Sequence, residues 1–431
     1  MKYFSLTTPS HKVSFQQAIV SGLAPDGGLY MPEQLPVLPT EFIAQLSTLS
    51  KTEIGFSIAR PFVDENISDE TLREIVSETI DFDFPVVALE ENVFALELFH
   101  GPTLAFKDVG ARFLARILRQ IAKTIHQEIT VLVATSGDTG SAVAHGFYNV
   151  EGIRVVILYP SGMVSALQEK QFATLGKNIQ AIKVAGTFDD CQRLVKQAFQ
   201  DEQLRKTRFL TSANSINIAR LIPQSFYYFL AWSQLNTPKQ VVFSVPSGNF
   251  GNLTAGVLAK KMGLPIRAFV AATNVNDVVP EYLHTNIFKP RASTQTISNA
   301  MDVGNPSNFP RLLALYGNDW GYIHKEIHGY AFTDAKTRLA MLDVFNRKKY
   351  ILDPHGAVGY LGLKKYLESH PDVQGMFLET AHPSKFPDVV ESAIQQPISI
   401  HPSLAELANK QIQSLSSSSN FSDFKNLLMM H

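Results

Sequence analysis

Short runs of β-branched and other apolar residues recur along the chain beyond about residue 85. Each run is followed by a segment with the apolar spacing of an amphipathic helix, and such alternation is typical of a parallel sheet covered by helices. The runs are Ile129 to Ala134, Val155 to Leu158, Ala181 to Val184, Val241 to Val245, Ala268 to Ala272 and Met376 to Thr380. The pattern therefore predicts a parallel α/β architecture with ligand sites beyond the carboxyl ends of its strands.

The two ends of the chain lack this alternation. Residues 1 to about 85 carry turn signals at 24–28 and 32–39 and helical spacing at 69–76, which predicts a separate N-terminal cap domain. At the other end, the serine-rich stretch from Ser414 to Asn420 has the composition of a linker. We expect it to lead to a short apolar C-terminal tail.

Composition and charge narrow the class of ligand. Apolar residues make up 45% of the 431 positions and charged residues 18%, which suits a large core divided into roughly two or three domains. The 38 Lys and Arg residues balance 39 Asp and Glu residues, so no global field favours nucleic acid or a membrane surface. With one cysteine, Cys191, no signal-like start and no long apolar run, the sequence predicts a cytoplasmic protein that binds small molecules.

Two predicted strands end in small polar residues that open a helix. Segment 246–252 combines Gly, Ser and Asn after a strand, which suits a phosphate cradle of backbone N–H groups, although an ordinary strand-to-helix turn has the same composition. Segment 135–141 crowds hydroxyl groups at a helix start, which suits a carboxylate. Two cradles indicate a ligand with two anionic ends. Asp138, within the second, is expected to face a donor rather than the carboxylate.

Arg220 and Lys107 stand in unusual surroundings. Arg220 lies in one of the most apolar predicted helices, where a guanidinium needs an anionic partner: either a structural carboxylate or, given the nearby Asn214 and Ser215, a phosphate. Lys107 follows Phe106 at a predicted helix start, where the dipole and desolvation lower the pKa of an amine and suit a Schiff-base lysine. A partly buried surface lysine is the alternative.

The last two polar loops follow predicted strands near the C-terminus. Thr380 ends a buried strand and can offer its hydroxyl group to a ligand, whereas His355 and His382 are interpreted as satisfied loop histidines. Neither histidine has the spacing of a metal site, and one cysteine excludes a cysteine-rich zinc site, so no metal is expected.

Six segments, in order and at characteristic intervals, closely resemble the threonine synthase family in its longer bacterial and fungal form. They are HGPTLAFKDVGARF at 100–113, ATSGDTGSA at 134–142, NSINIAR at 214–220, PSGNFGN at 246–252, AMDVGNPSN at 300–308 and ETAHPSKF at 379–386. LAFKD and SGNFGN are specific to pyridoxal-phosphate enzymes of the tryptophan-synthase-β type, and the other segments narrow the match. The resemblance begins at the N-terminal segment and fades after about residue 395.

The resemblance implies a fold and a cofactor. The fold is fold type II of the pyridoxal-phosphate enzymes: an α/β, two-subdomain parallel-sheet fold of the tryptophan-synthase-β type with an N-terminal cap domain. We expect the cap at 1–85, the catalytic core at 86–400 with its smaller subdomain at roughly 130–230, and a tail at 401–431. Pyridoxal 5'-phosphate is the implied cofactor.

The resemblance also assigns roles to residues. Lys107 is the catalytic residue and binds the cofactor as a Schiff base, Thr380 faces its pyridine nitrogen, and Asp138 lies near the oxygen on its ring. The implied cofactor-phosphate cradle is Ser247, Gly248, Asn249, Phe250, Gly251 and Asn252. Thr135, Ser136 and Thr139 are implied to bind the substrate carboxylate, and Asn214, Ser215 and Arg220 its phosphate.

The implied reaction converts O-phospho-L-homoserine and water into L-threonine and phosphate, the last step of threonine biosynthesis, by γ-elimination and β-addition. A serine or threonine dehydratase, or a cysteine synthase, of the same fold is the alternative, and none of these enzymes has a use for a second phosphate site centred on Arg220. A binding protein without turnover is a further alternative, against which Lys107 argues. No nucleic acid or membrane partner is expected, and the chain is expected to be a monomer or a homodimer.

Overall fold

The computed structural model describes residues 1–235 and 240–430. Its first part is built on a small antiparallel sheet of β1 (Lys2–Ser5), β2 (Lys12–Ser14) and β3 (Tyr30–Pro32), in the order β2-β1-β3. Four helices accompany this sheet: α1 (Phe15–Ser21), α2 (Thr40–Ala44), α3 (Lys51–Ala59) and α4 (Asp69–Thr79). The predicted helical segment at 69–76 is therefore confirmed, whereas the small sheet was not predicted.

The remaining strands form two larger sheets. They are β4 (Val86–Glu90), β5 (Val93–Glu97), β6 (Ile129–Ala134), β7 (Ile153–Pro160), β8 (Ile179–Ala185), β9 (Phe209–Ser212), β10 (Val241–Pro246), β11 (Ile266–Thr273), β12 (Ile327–Ala331), β13 (Gln374–Glu379) and β14 (Ser414–Ser418). One sheet has the order β12-β11-β10-β13-β5-β4, and only β4 runs antiparallel in it. The other has the order β14-β8-β7-β6-β9 and is parallel throughout.

Helices cover both sheets and follow most of the strands, as the alternating pattern predicted. They are α5 (Lys107–Ile125), α6 (Asp138–Phe147), α7 (Ala166–Ala173), α8 (Phe188–Gln200), α9 (Glu202–Thr207), α10 (Ile218–Leu221), α11 (Phe226–Trp232), α12 (Gly251–Lys261), α13 (Val278–Thr285), α14 (Phe309–Leu315), α15 (Trp320–Glu326), α16 (Asp334–Lys348), α17 (Pro354–Leu367), α18 (Pro387–Ile394), α19 (Pro402–Ala405) and α20 (Phe421–Met430). Short 3-10 turns lie at Leu46–Thr48, Arg60–Phe62, Ile222–Ser225, Asn299–Met301 and Pro383–Lys385.

All six predicted strands are present, and their burial explains why the sequence revealed them. Every residue of β6 and of β10 is buried, as expected for parallel strands with helices on both faces. Strands β4, β5, β9 and β12 are only partly buried and were not recognised. The predicted parallel α/β architecture is confirmed.

The prediction that the serine-rich segment is a linker is wrong. Its residues form β14, which pairs in parallel with β8 from Ser414 opposite Ala181 to Ser418 opposite Ala185. Strand pairing uses backbone groups, and an edge strand needs few apolar side chains, so composition alone misled the interpretation. Helix α20 then buries Phe424 and Leu428 in the core of this sheet.

Both sheets place their functional loops at carboxyl ends of strands, as parallel sheets do. In the larger sheet Ser244 of β10 lies opposite Phe377 of β13. The segments that leave these adjacent strands, beginning at Ser247 and Thr380, therefore emerge side by side. Among the described residues, no helix has the length and apolar character needed to cross a membrane.

Candidate active site

Lys107 is the first residue of α5, and the backbone just before it is fixed by two other elements. The amide of Phe106 donates a hydrogen bond of 2.9 Å to the carbonyl oxygen of Thr380, directly after β13. The Tyr227 hydroxyl group donates to the carbonyl oxygen of Phe106. The amine is thereby positioned at the carboxyl edge of the larger sheet, and its side chain is 18% exposed.

Asp138, the first residue of α6, faces basic and amide groups, as the sequence predicted. Its Oδ1 lies 2.8 Å from Lys385 Nζ and accepts a 2.9 Å hydrogen bond from Gln168, while its Oδ2 lies 3.8 Å from Lys107 Nζ. Burial alone raises the pKa of Asp138, but the two ammonium groups outweigh burial and hold that pKa well below its usual value. Burial also lowers the pKa of Lys107, opposed by Asp138 and reinforced by Lys385 and Arg220.

Segment 247–252 turns sharply from β10 into α12. Phe250 has a φ of 61°, in the left-handed region, and Gly251 begins the helix. Gly248 packs so closely on the following chain that a Cβ atom would lie 2.7 Å from the carbonyl oxygen of Ala300 and 2.9 Å from Met301 Cα. This close backbone contact requires a glycine at position 248. It fixes the position of the loop 247–252, which leads into the N-terminus of α12.

Buried polar atoms without a hydrogen-bond partner among the described residues collect around this loop. They include the amide nitrogens of Asn252 and Asn308, and the side-chain oxygen of Gln224. A Cβ atom on Gly251 would lie 3.4 Å from Asn308 Nδ2 and 3.8 Å from Gln224 Oε1. Orphaned amide donors at a helix N-terminus fit a bound anion such as the phosphate of pyridoxal phosphate. The amine of Lys107, at the same edge of the sheet, fits the aldehyde of this cofactor.

Arg220 is a buried cation without an ion-pair partner in the described ranges. Its side chain is almost fully buried, its Nη1 donates 2.5 Å to the carbonyl oxygen of Ala213, and its Nε has no partner there. Burial lowers its pKa to about 10. Nε faces Gly110, where a Cβ atom would lie 3.0 Å from it, one helical turn after Lys107. Among the described residues no carboxylate lies within ion-pairing distance of Arg220, although the Asp108 carboxyl group partly offsets the effect of burial on its pKa. A buried cation without an ion pair fits an anionic ligand.

Asn214 and Ser215 connect this arginine to the other loops. The amide nitrogen of Asn214 donates 3.0 Å to the carbonyl oxygen of Ala134, at the end of β6. The Ser215 hydroxyl group lies 3.5 Å from that of Ser307, which donates 3.1 Å to Asn249 Oδ1. Ser307 therefore joins the predicted substrate-phosphate residues to the predicted cofactor-phosphate loop.

The hydroxyl groups at the start of α6 divide into two kinds. Thr135 is buried and satisfied locally, because its Oγ1 accepts hydrogen bonds from the amides of Gly137 and Gly140 and donates to the carbonyl oxygen of Gly137. Gly137 has a φ of 146°, which a residue with a side chain rarely adopts. Ser136 is exposed and Thr139 half-buried, so these two hydroxyl groups are open to a ligand.

Several residues of the site carry no role in the sequence analysis. Ser307 and Asn308 lie at the end of the family-like segment 300–308, and Lys385 lies in the family-like segment 379–386. The resemblance therefore covered these three residues, but it assigned them no role. Arg311 is fully buried and binds only neutral oxygens within the described chain: the carbonyl groups of Tyr30, Ser215 and Ile216, and Asn308 Oδ1. It connects β3 with the loop that carries Ser215.

His355 and His382 are both held in local networks, in agreement with their interpretation as loop histidines. His355 Nδ1 lies 2.6 Å from Asp353 Oδ1, and its Nε2 accepts a 3.2 Å hydrogen bond from the amide of Ala300. His382 Nδ1 lies 2.7 Å from the Ser384 hydroxyl group. His355 thus supports the segment against which Gly248 packs.

Comparisons with known proteins give the family. The family model described as "Pyridoxal-phosphate dependent enzyme" matches residues 81–374, "Threonine synthase N terminus" matches 2–80, and "Threonine synthase, C-terminal" matches 356–425. The chain is 45% identical to a threonine synthase of Escherichia coli strain K12 over the full length of both proteins.

Solved structures agree. The crystal structure of threonine synthase from Escherichia coli superposes with a TM-score of 0.93 over all of both chains, at 45% identity. A threonine synthase from Brucella melitensis, solved with bound pyridoxal phosphate, also gives a TM-score of 0.93, at 34% identity over 100% of this chain and 99% of that one. The predicted fold type, family and cofactor are confirmed. The chain belongs to the threonine synthase family of pyridoxal-phosphate-dependent enzymes.

Proposed function

We propose that the chain converts O-phospho-L-homoserine and water into L-threonine and inorganic phosphate, using pyridoxal phosphate held on Lys107. The observation that supports this most is the buried guanidinium of Arg220, which has no ion-pair partner among the described residues and packs on Gly110, one helical turn after Lys107. A second anion subsite, distinct from the cofactor loop at 247–252, suits a substrate that carries its own phosphate. The name of the relatives, threonine synthase, agrees with L-threonine as the product.

We propose that the cofactor is bound by the residues that the sequence predicted. Lys107 would hold its aldehyde carbon, the backbone and side chains of Ser247 to Asn252 its phosphate, and the Thr380 hydroxyl group its ring nitrogen. When bound, pyridoxal phosphate supplies an electron sink that makes the Cα proton of an attached amino acid acidic. A hydroxyl partner holds the ring nitrogen without fixing a proton on it, so control of protonation passes to the amine of Lys107.

Two sets of residues would fix the two ends of the substrate. Ser136, Thr139 and the N-terminus of α6 would bind the carboxylate, and the locally satisfied Thr135 would shape that loop rather than donate to the ligand. Asn214, Ser215 and Arg220 would bind the phosphate. Since the amide of Asn214 also donates to Ala134 O, the two subsites keep a fixed separation.

Lys107 would move the protons. Its lowered pKa favours a neutral amine, which is the form that removes a proton from carbon. The adjacent Asp138 carboxylate would stabilise the ammonium that results. The phosphate that leaves stays paired with Arg220, beside the carbon to which water is added.

A serine or threonine dehydratase, which shares this fold, would use the same lysine and the same cofactor loop. It would not need a bidentate cation at the position of Arg220, because its substrates carry no phosphate. The full-length identity to threonine synthases supports the first function over this alternative.

Two measurements test the proposal. Borohydride reduction of the freshly purified protein, followed by peptide mass spectrometry, is expected to fix the cofactor on Lys107, while Lys123, exposed in the last turn of α5, serves as the internal control. O-phospho-L-homoserine is expected to release phosphate, and L-serine to give no product. Cofactor on another lysine, or turnover of serine without turnover of the phosphorylated substrate, would contradict the proposal.

We also propose that the chain divides into a cap at 1–85 and a core at 86–400, with the tail completing the smaller sheet. We propose a cytoplasmic location, a monomer or homodimer, and no nucleic-acid or membrane partner. The balanced charge supports the absence of nucleic-acid partners, and the single buried cysteine supports the location. Light scattering of the purified protein measures the oligomeric state directly.

A further inference from the structure

Lys385 is a fully buried lysine beside Lys107, the partly buried lysine that the proposed function uses. It ends the 3-10 turn Pro383–Lys385 after β13, and its side chain is 1% exposed. Its Nζ lies 2.8 Å from Asp138 Oδ1 and donates 2.8 Å to the carbonyl oxygen of Thr103. A buried ammonium is costly unless it is paired, so this placement is a fixed feature of the fold.

The two oxygens of Asp138 are shared unequally. Oδ1 lies 2.8 Å from Lys385 Nζ and accepts a 2.9 Å hydrogen bond from the side-chain amide of Gln168. The nearest ammonium group to Oδ2 is that of Lys107, at 3.8 Å. Lys385 and Gln168 together therefore fix the orientation of the carboxylate. The pair also joins the segment after β13 to the start of α6, and so joins the two larger sheets at the site.

We propose that Lys385 is a positioning residue for the reaction: it holds Asp138 as a carboxylate turned toward Lys107 and neutralises part of its charge, so that Lys107 readily gives up its proton. This inference rests on the proposed role of Lys107. It adds a second cation, which acts on Lys107 both through Asp138 and by direct repulsion.

The charges around Lys107 explain the direction of the effect. Asp138 on α6 attracts the proton of Lys107. Two cations repel that proton: Lys385, which follows β13, and Arg220, which lies on α10. Without Lys385, the carboxylate would have Lys107 as its only ammonium partner, and the amine would stay protonated to higher pH. Lys385 itself also faces Asp108 on α5 and His145 on α6. Burial lowers the pKa of His145 to about 4, so that ring is neutral near pH 7.

The test measures the protonation of Lys107 itself. In the cofactor-free full-length chain, the rate at which acetic anhydride labels Lys107 is followed against pH by peptide mass spectrometry. In the holoenzyme, the pH dependence of the visible absorbance of the bound cofactor is followed in parallel. Lys385→Met replaces the ammonium with a neutral side chain of similar length. Lys364→Met removes a lysine that pairs with Glu90, remote from the site, and is the matched control.

Lys385→Met is expected to raise the pH midpoint of Lys107 labelling and to slow labelling about tenfold at fixed neutral pH, the effect of one strong nearby charge. Asp138→Asn is expected to lower the midpoint, and the double variant to return it toward wild type because neither buried charge remains. Lys364→Met is expected to leave it unchanged.

An unchanged midpoint in Lys385→Met would overturn the proposal. If that single variant does not fold, the comparison of Asp138→Asn with the double variant decides, since loss of Lys385 must raise the midpoint in that background also. A merely structural role would lower stability without moving the midpoint in either pair. If borohydride did not fix the cofactor on wild-type Lys107, the proposed function itself would be wrong. This outcome is distinct from an unchanged midpoint in Lys385→Met, which would contradict only the role of Lys385.

Discussion

The backbone amide of Phe106 donates a 2.9 Å hydrogen bond to the carbonyl oxygen of Thr380, although 274 positions separate them in the sequence. One bond thus places the residue before the proposed cofactor lysine against the residue proposed to face the cofactor ring. Because Thr380 directly follows β13, the position of Lys107 depends on the larger sheet rather than on its own helix alone.

Arg220 is expected to determine affinity for the phosphate of the substrate. Arg220→Met keeps an apolar stem of similar length and should lower kcat/KM for O-phospho-L-homoserine roughly 100-fold, about 3 kcal/mol, mostly through KM. Arg220→Lys should recover little, because an ammonium lacks the planar pair of donors. Inhibition by a phosphonate analogue of the substrate measures the effect separately from turnover.

The control for this prediction is Arg205→Met, which changes an exposed arginine of α9. The affinity for the phosphonate analogue is compared with the affinity for the same amino acid without its phosphonate group. If Arg220→Met lowered both affinities equally, the assignment of Arg220 would be wrong.

Glu379 and Gly356 form a tightly packed pair behind the site. Burial, and then the neighbouring Asp353, raise the pKa of Glu379 well above its usual value, which favours the neutral acid. Glu379→Gln should therefore change the free energy of unfolding by less than about 1 kcal/mol. Gly356→Ala should cost about 2–4 kcal/mol, because its methyl group would overlap the Glu379 carboxyl group. Urea unfolding measures both, and equal costs would contradict this account.

Glu90 is expected to contribute a pH-dependent part of the stability. Burial alone raises its pKa, but hydrogen bonds from Lys364, Tyr360 and Arg347 outweigh burial and lower that pKa from 4.5 to about 2. A depressed carboxyl pKa stabilises the fold above the unfolded value, and the contribution is lost as the pH falls through the folded value. The difference in unfolding free energy between wild type and Glu90→Gln should therefore shrink from pH 5 toward about pH 2. A difference independent of pH would contradict it.

The C-terminal segment is expected to be part of the core. Phe424 of α20 is fully buried, so Phe424→Ala should lower the free energy of unfolding by about 3–5 kcal/mol. Met430→Ala, at a side chain that is 76% exposed, should change it by less than about 0.5 kcal/mol. A detached tail would give two equal and negligible effects.

The parts of the fold that could be predicted are those in which side chains carry the signal. Strands β6 and β10 are apolar throughout because helices cover both their faces, whereas β14 is held by backbone bonds at an edge and left only a serine-rich pattern. The N-terminal sheet was missed because its strands have only three or four residues.

The site divides in the same way. A charge in an apolar segment, or a glycine at a helix start, can be recognised from the sequence alone. The sequence therefore allowed us to propose Lys107, Arg220 and the loop at 247–252. Lys385 and Ser307 could not be proposed in this way, because their roles depend on partners such as Asp138 and Asn249 that only folding brings near. Arg311 was missed for the same reason, because its guanidinium is held by the carbonyl groups of Tyr30 and Ile216, which only folding brings near.

The most direct test of the central claim compares the products formed from O-phospho-L-homoserine by the wild-type chain and by Lys107→Ala. The wild type is expected to yield L-threonine and inorganic phosphate in equal amounts. Lys107→Ala, which removes the proposed base, should be slower by about 10³-fold or more while remaining folded. Phosphate release without threonine, or a Lys107→Ala variant as active as the wild type, would contradict the account.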